Sequence, residues 1–386
     1  MNLDIDNRKL IMLPGPTNVS DRVTNAMIKP LINHRSSSAK LLFEDVKNKA
    51  QKIFQTNNEI ITLTCSGTGG WESSVTNLIK PGDNVIVPSF GEFGHRWGDY
   101  LTSYGANVKK IIAEPGSVPN IDDVEKAFEE FDQVKALFVV YNESSIGTTV
   151  RWLDEAGKLC SKYGAFFVVD SISNLGGDDV KVDDWNIDFC ITASQKCLAA
   201  PPGLSIISLS EKVKDYLSNN PSKSLFFNLH RYLQFTERGE TPFTPSLPLF
   251  YALNEAFDVI LEEGLSNRIK RHQVCANAFY ETFENSTLEP FAEKNARSNT
   301  VIAIKYPENV NDADFRSMLE NQFGIIIGGG FGNLKGKIFR IGSMGEINKS
   351  YVLRTISSIN STFSLLNKNC EIDVKNSLNI LKELNK

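Results

Sequence analysis

The chain has 386 residues, 41% hydrophobic and 23% charged, with 26 glycines and 15 prolines. That is enough for two or three domains and excludes a disordered, collagenous or coiled-coil chain. Lysine and arginine total 41 against 46 acidic residues, a net charge of −5, which gives no footprint for a nucleic-acid partner and points to small-molecule chemistry.

Residues 1–15 read as an N-terminal arm. From about residue 59 to 209, short β-branched runs alternate with helical stretches, the pattern of an α/β domain whose mostly parallel sheet is covered by helices. The predicted strands are 59–64, 84–88, 108–113, 136–141, 165–170 and 189–192. The predicted helices are 70–80, 93–104, 121–131 and 154–163. A further strand at 203–208 follows its predecessor too closely for a crossover helix, so that pair is expected to be antiparallel. The amphipathic stretch 248–283 reads as one helix, and the short strands 301–304 and 338–341 then alternate with helices. The division is thus a large domain over 16–260 and a smaller α+β C-terminal domain over 261–386, closed by a helical tail at 367–386.

No apolar run approaches the roughly 18 residues of a membrane span. The first residues carry Asp4, Asp6 and Arg8 where a signal peptide would be apolar. Six cysteines (Cys65, Cys160, Cys190, Cys197, Cys275, Cys370) lie scattered with no C-x-x-C pair, as in a reduced compartment. No membrane partner and a cytoplasmic location are expected. His34, His95, His230 and His272 stand alone, against a metal centre, and no G-x-S-x-G elbow is present.

Four features carry chemistry. Asp170 ends the apolar run 165–169, which places its carboxylate at the carboxyl edge of the sheet, where open α/β sheets bind ligands; a plain helix cap or turn former is the competing reading. Lys196 follows another strand and is flanked by Ala193, Cys197, Leu198, Ala199 and Ala200. Burial there would lower its pKa and make the amine nucleophilic, fit for a Schiff base; otherwise it snorkels to the surface. The turn Ser66-Gly67-Thr68-Gly69-Gly70 stands between strand and helix, where free N–H groups favour a phosphate, or it is simply a structural turn. It is not a dinucleotide fingerprint, since Glu72 stands where the third glycine belongs, and this weakens a nicotinamide dehydrogenase. Arg340 lies inside an apolar strand and needs an anion, either a bound carboxylate or an internal partner.

Together these residues resemble the fold type I pyridoxal-phosphate enzymes, specifically class V aminotransferases of the alanine–glyoxylate and serine–pyruvate type. The likeness runs from Pro14-Gly15-Pro16-Thr17-Asn18 through the Ser66–Gly70 turn, Asn142-Glu143-Ser144-Ser145-Ile146-Gly147 and the segments 170–177 and 194–203, to Arg340-Ile341-Gly342. The resemblance implies that Lys196 carries pyridoxal 5'-phosphate on its amine and moves the substrate proton. Asp170 would face the ring nitrogen and keep it protonated. It further implies that Thr68, Gly69 and Gln195 hold the phosphate. Gly70 belongs to the same cofactor-binding turn, where some relatives carry histidine, and Thr241 stands where some carry tyrosine. Phe93 would stack on one ring face and Ile172 on the other, with Ser144 near the cofactor hydroxyl or substrate. Arg340 would clamp the substrate carboxylate, assisted by backbone around Gly15. Thr244 would reach the phosphate of a neighbouring subunit, which implies a homodimer with shared sites. The glycine-rich stretch 328–332 is expected either to border the entrance or to be a plain loop. The implied reaction is transfer of the amino group of alanine or serine to glyoxylate or pyruvate. The alternatives are a cysteine desulfurase or lyase on the same scaffold, though no cysteine stands in an evident mobile loop, and a non-enzymatic binding protein of this fold.

Overall fold

A computed structural model of the chain describes residues 9–385. It opens with β1 (Leu10–Met12), α1 (Asp21–Ala26) and α2 (Ser37–Phe54). Strands and helices then alternate: β2 (Glu59–Leu63), α3 (Gly67–Leu78), β3 (Asn84–Ser89), α4 (Glu92–Ser103), β4 (Asn107–Ile112), α5 (Ile121–Glu129) and β5 (Ala136–Val140). A small hairpin, β6 (Asn142–Glu143) and β7 (Thr148–Thr149), precedes α6 (Leu153–Tyr163), β8 (Phe166–Asp170), β9 (Phe189–Ala193) and β10 (Ser205–Leu209). The helices α7 (Glu211–Asn219), α8 (Leu229–Thr236), α9 (Leu247–Glu263) and α10 (Leu265–Glu284) lead into β11 (Val301–Lys305), α11 (Asp312–Phe323), β12 (Ile325–Gly329), β13 (Ile338–Gly342), α12 (Lys349–Leu365) and α13 (Val374–Leu381).

The large sheet has the order β2-β10-β9-β8-β5-β3-β4. Only β10 is antiparallel to its neighbours, pairing with both β9 and β2, as its short connection from β9 requires. Side chains of the central strands alternate between two cores: Leu137, Val139, Phe167 and Val169 join one, and Phe138, Val140, Phe166 and Val168 the other. Both faces are therefore covered by helices, which is why these strands read as unbroken apolar runs. The small sheet has the order β1-β12-β13-β11 and its own core with α10, α11 and α12.

The elements predicted between residues 59 and 209 lie within about two residues of their predicted bounds except for α3, while α1, α2, α7, α8 and the β6–β7 hairpin have no predicted counterpart. Helix α3 starts at Gly67 rather than residue 70, because the Ser66 hydroxyl accepts from the Gly69 N–H and caps the helix earlier. The expected single helix over 248–283 is two, since Gly264 adopts φ +82 and breaks it between α9 and α10. The expected tail helix is shorter: Asn367 and Glu371 take left-handed φ values of 55 and 52, Cys370 and Ile372 bury against the small core, and helix forms only at α13; Lys386 lies outside the described residues. Within the stretch 328–332, Gly328 and Gly329 are not loop but the end of β12, paired with Arg340 and Phe339. Of the expected arm, residues 1–8 lie outside the described residues, and Leu10–Met12 form a strand parallel to β12.

The chain after β1 crosses between the sheets and is pinned there. A Cβ on Gly342 would overlap the Leu13 carbonyl, and the Asn18 side chain bonds both the N–H and the carbonyl of Ile11, at 3.1 and 2.7 Å. Gly342→Ala should therefore destabilise the fold by about 1–3 kcal/mol, the usual cost of overpacking a close-packed site. Urea unfolding checks this, and an unchanged midpoint would mean that the crossing segment is not seated against β13.

Candidate active site

The parallel strands and β2 deliver their carboxyl ends to one edge of the large sheet, and the candidate residues collect there. A cavity of about 160 Å³ is lined by Thr68, Phe93, Ser144, Asp170, Ile172, Gln195 and Lys196 among others. Seven of the predicted site residues thus meet at one place. A larger cavity of about 390 Å³ lies elsewhere, against α2 and α8 and bordered by Thr241; it contains none of these groups.

Lys196 sits on a tight turn after β9. The Ala200 N–H donates to the Ser194 carbonyl at 2.9 Å, Ala199 takes φ +55, and the Ser194 hydroxyl donates to the Pro201 carbonyl at 2.6 Å. The turn is held from outside as well. Thr17 donates its N–H to the Gln195 carbonyl and its hydroxyl to the Lys196 carbonyl, both at 3.1 Å. Arg268, 1% exposed, donates to the Cys197 carbonyl at 3.0 Å. The Lys196 amine itself donates to the Pro14 carbonyl. Gly15 makes room for it: φ is +90, and a Cβ there would lie 2.5 Å from Nζ. Burial, with Arg340 adding to the effect, lowers the amine to about 8, although Cys197 and Asp170 pull the other way.

Asp170 ends β8 and is 7% exposed. Its Oδ1 accepts the Ile172 N–H at 2.9 Å and its Oδ2 accepts the indole N–H of Trp97 at 3.2 Å. Burial pushes the carboxyl up to about 7; the two hydrogen bonds and Lys196 oppose that, and Glu143 adds to it.

The first turn of α3 borders the same cavity through Ser66, Gly67 and Thr68. Gly67 allows close approach to Ile172, whose Cδ1 would be 2.9 Å from a Cβ there. Gly69 belongs to the turn, but its N–H points back to the Ser66 hydroxyl at a long 3.4 Å. Gly70 does not face the cavity. A Cβ on it would overlap the Ser205 hydroxyl on β10, and its N–H is used by the Ser66 carbonyl at 3.2 Å. It is a packing glycine, which corrects its expected place among the cofactor contacts.

Arg340, on β13, reaches the cavity through Ser144. Its Nη1 donates to the Ser144 carbonyl at 2.8 Å and its Nε to the Gly329 carbonyl at 2.7 Å. Among the described residues it forms no ion pair, so the internal salt bridge is not what balances it. Burial lowers its pKa to about 10, which leaves the guanidinium charged at neutral pH. The Phe331 ring covers it, 4.4 Å from centroid to Cζ, and meets Phe93 edge-on at 6.3 Å. The stretch 328–332 thus lies against the site. Thr244 is exposed and does not line the cavity of its own chain.

Several residues of the site receive no role from the sequence. Trp97, Asn142 and Ser173 line the cavity, and Asn142 Nδ2 donates to the Ser173 hydroxyl at 2.6 Å. Glu143, fully buried, accepts from the Gly94 N–H at 3.0 Å and from the Ser145 hydroxyl at 2.6 Å. It caps α4 from another segment, where Gly91 supplies no side chain. Burial raises its pKa against those bonds.

These groups fit pyridoxal phosphate. Gln195 lines the cavity beside Lys196, and a side-chain amide carries an N–H2 donor suited to an anion. The helix terminus of α3 offers N–H groups to an anion, and Asp170 keeps acceptor capacity for a ring N–H.

The Aminotransferase class-V family profile matches residues 18–345. An uncharacterized aminotransferase of Methanocaldococcus jannaschii is 42% identical over 91% of this chain and 92% of its own. The serine–glyoxylate aminotransferase of Methylorubrum extorquens is 34% identical over 91% of this chain and 90% of its own. The crystal structure of ureidoglycine–glyoxylate aminotransferase from Bacillus subtilis superposes with a TM-score of 0.90 at 30% identity, covering 98% of both chains. With the lysine, the carboxylate and the N-terminus of α3 gathered at one sheet edge, the chain belongs to the class-V aminotransferases and is a pyridoxal-phosphate-dependent transaminase.

Proposed function

We propose that this enzyme transfers the amino group of a small amino acid, alanine or serine, to glyoxylate or pyruvate. The observation that carries the proposal is the convergence of Lys196 and Asp170 on one small cavity, with Arg340 held by the carbonyl of Ser144 on its wall. The relatives named for serine–glyoxylate and alanine–glyoxylate transfer support the substrate class.

When bound, pyridoxal phosphate supplies an electron sink conjugated to the substrate α-carbon. The Thr68 hydroxyl, the Gly69 backbone and the Gln195 amide hold the phosphate at the α3 terminus. Phe93 and Ile172 bracket the ring. Asp170 accepts from the ring nitrogen and holds its proton in place, which maintains the sink. Ser144 offers its hydroxyl beside the cofactor's own. Arg340 presents its fork to the substrate carboxylate. The Lys196 amine takes the proton from the α-carbon and returns it, in two half-reactions that use the same residues and exchange amine for oxo group.

The protein acts as a homodimer, with Thr244 reaching the phosphate of the neighbouring subunit; its exposure and its distance from the lining of its own cavity support this role. We place the enzyme in the cytoplasm, a reading supported by its six free cysteines. Among the described residues no helix is long and apolar enough to cross a membrane. Sulfur removal from cysteine gains no nucleophile here: five of the cysteines are buried, and burial first, then Glu72, pushes Cys65 up to about 12.

Lys196→Ala should abolish the visible absorbance of the lysine-bound cofactor and lower transfer by at least about a thousandfold, by analogy with the loss of a positioned proton-transfer group. Single-turnover spectra with alanine and serine, then glyoxylate and pyruvate, read this directly, and full turnover by the variant would refute the assignment. A second test uses pH. The amine attacks only when neutral, so cofactor uptake by cofactor-free protein should rise about tenfold per pH unit and level off above about 8, the value burial imposes on Lys196. A rise continuing to the 10.5 of an ordinary lysine would show that the amine is not desolvated.

A further inference from the structure

Trp97 lies on α4 one turn after Phe93, so the helix that presents Phe93 to the cavity also carries this indole to its floor. Its ring stacks on that of Trp71 from α3, with centroids 4.1 Å apart and planes 10° from parallel. Trp71 is 1% exposed and Trp97 8%. The Trp97 Nε1–H leaves this stack to meet Asp170 Oδ2 at 3.2 Å. One ring thus joins α3, α4 and the end of β8.

We infer that Trp97 is the positioning residue of Asp170, fixing the carboxylate's orientation and keeping it ionised. An indole N–H is a donor only, so it always favours the anionic oxygen and cannot exchange roles with it. Of the donors to Asp170, the Ile172 N–H is on Asp170's own segment and restrains Oδ1; without Trp97, Oδ2 has no protein donor among the described residues. A buried carboxylate in that condition rotates or takes up a proton. The ionisable groups that bear on Asp170 are Glu143 from the β6 segment, Lys196 from the turn after β9, and Cys190 within β9. Glu143 favours the protonated acid and Lys196 the anion. The stack supplies the rigidity: a tryptophan clamped face to face has little freedom to follow a moving carboxylate.

The inference rests on reading Asp170 as the ring-nitrogen partner, but the pairing itself is tested without cofactor. In the full chain freed of pyridoxal phosphate, the Asp170 carboxyl is titrated by carbon NMR. Trp97→Phe keeps a ring on Trp71 and removes only the donor. It should raise the Asp170 midpoint by about one unit or more, the worth of a hydrogen bond to a charged group. It should also weaken pyridoxal phosphate binding about tenfold. Trp71→Phe, which loosens the stack but keeps the donor, should shift the midpoint by clearly less. In the unsubstituted protein the Trp97 indole N–H resonance should titrate with the Asp170 midpoint, a measurement that needs no variant to fold. An unchanged midpoint in Trp97→Phe, an equal shift in Trp71→Phe, or an indole resonance flat across the Asp170 titration would each overturn the inference. If the titrations come out as expected while the unsubstituted protein takes up no pyridoxal phosphate, the pairing stands and the proposed role of Asp170 falls.

Discussion

The Lys196 amine donates to the carbonyl of Pro14, at the point where the chain leaves the small sheet and crosses the edge of the large one. The neighbouring residues depend on that meeting. Gly15 must lack a side chain for the amine to fit, Gly342 must lack one for Leu13 to lie against β13, and Thr17 fixes the lysine turn by two hydrogen bonds. The two sheets are thus joined at Lys196, and Arg340 on β13 is brought to the same edge as this lysine after β9. A domain junction is a usual place for a ligand site. Here the junction also desolvates the amine, which lowers its pKa.

Two cations, half-buried Lys196 and buried Arg340, and two buried carboxylates, Asp170 and Glu143, lie at this edge, and among the described residues they form no direct ion pair with one another. Each is held by dipoles instead: Arg340 by two carbonyls, Asp170 by an amide and an indole N–H, Glu143 by the α4 amides and Ser145. Fixed dipoles stabilise a charge without neutralising it, whereas a close salt bridge would occupy the groups that substrate and cofactor must meet. Lys196 and Asp170 are shifted toward each other, to about 8 and about 7. Both directions follow from desolvation of the charged form.

The parallel sheet was legible because its strands are buried on both faces, and continuous apolar runs such as 136–140 and 165–169 have few other readings. Asp170 and Lys196 were legible for the same reason, as polar residues at the ends of such runs. Trp97 and Glu143 were not. The Trp97–Asp170 bond spans 73 residues and the Glu143–Gly94 bond 49, and no local pattern distinguishes an indole that will find a carboxylate from one that will only fill a core. Gly70 was misplaced because a glycine in a phosphate-type turn and a glycine packed on a strand look alike until the strand is known. The break at Gly264 had a signal, a glycine within an amphipathic stretch, but the apolar period continues through it.

The antiparallel strand β10 explains why the α3 terminus arrives at this site at all. A sheet that ended at β9 would leave β2 and its following helix without a place beside the lysine turn. Because β10 reverses direction and β2 reverses again, β2 runs with the parallel set and its carboxyl end falls on the same edge as those of β8 and β9. The helix that follows, capped by Ser66, then points its N–H groups at the cavity, and Gly70 lets it settle onto β10 through Ser205. A larger residue at position 70 would lift α3 off the sheet, displacing the anion-binding terminus and, through the Trp71–Trp97 stack, the support of Asp170. The α3 terminus and the support of Asp170 are therefore both set by one helix seated on one reversed strand.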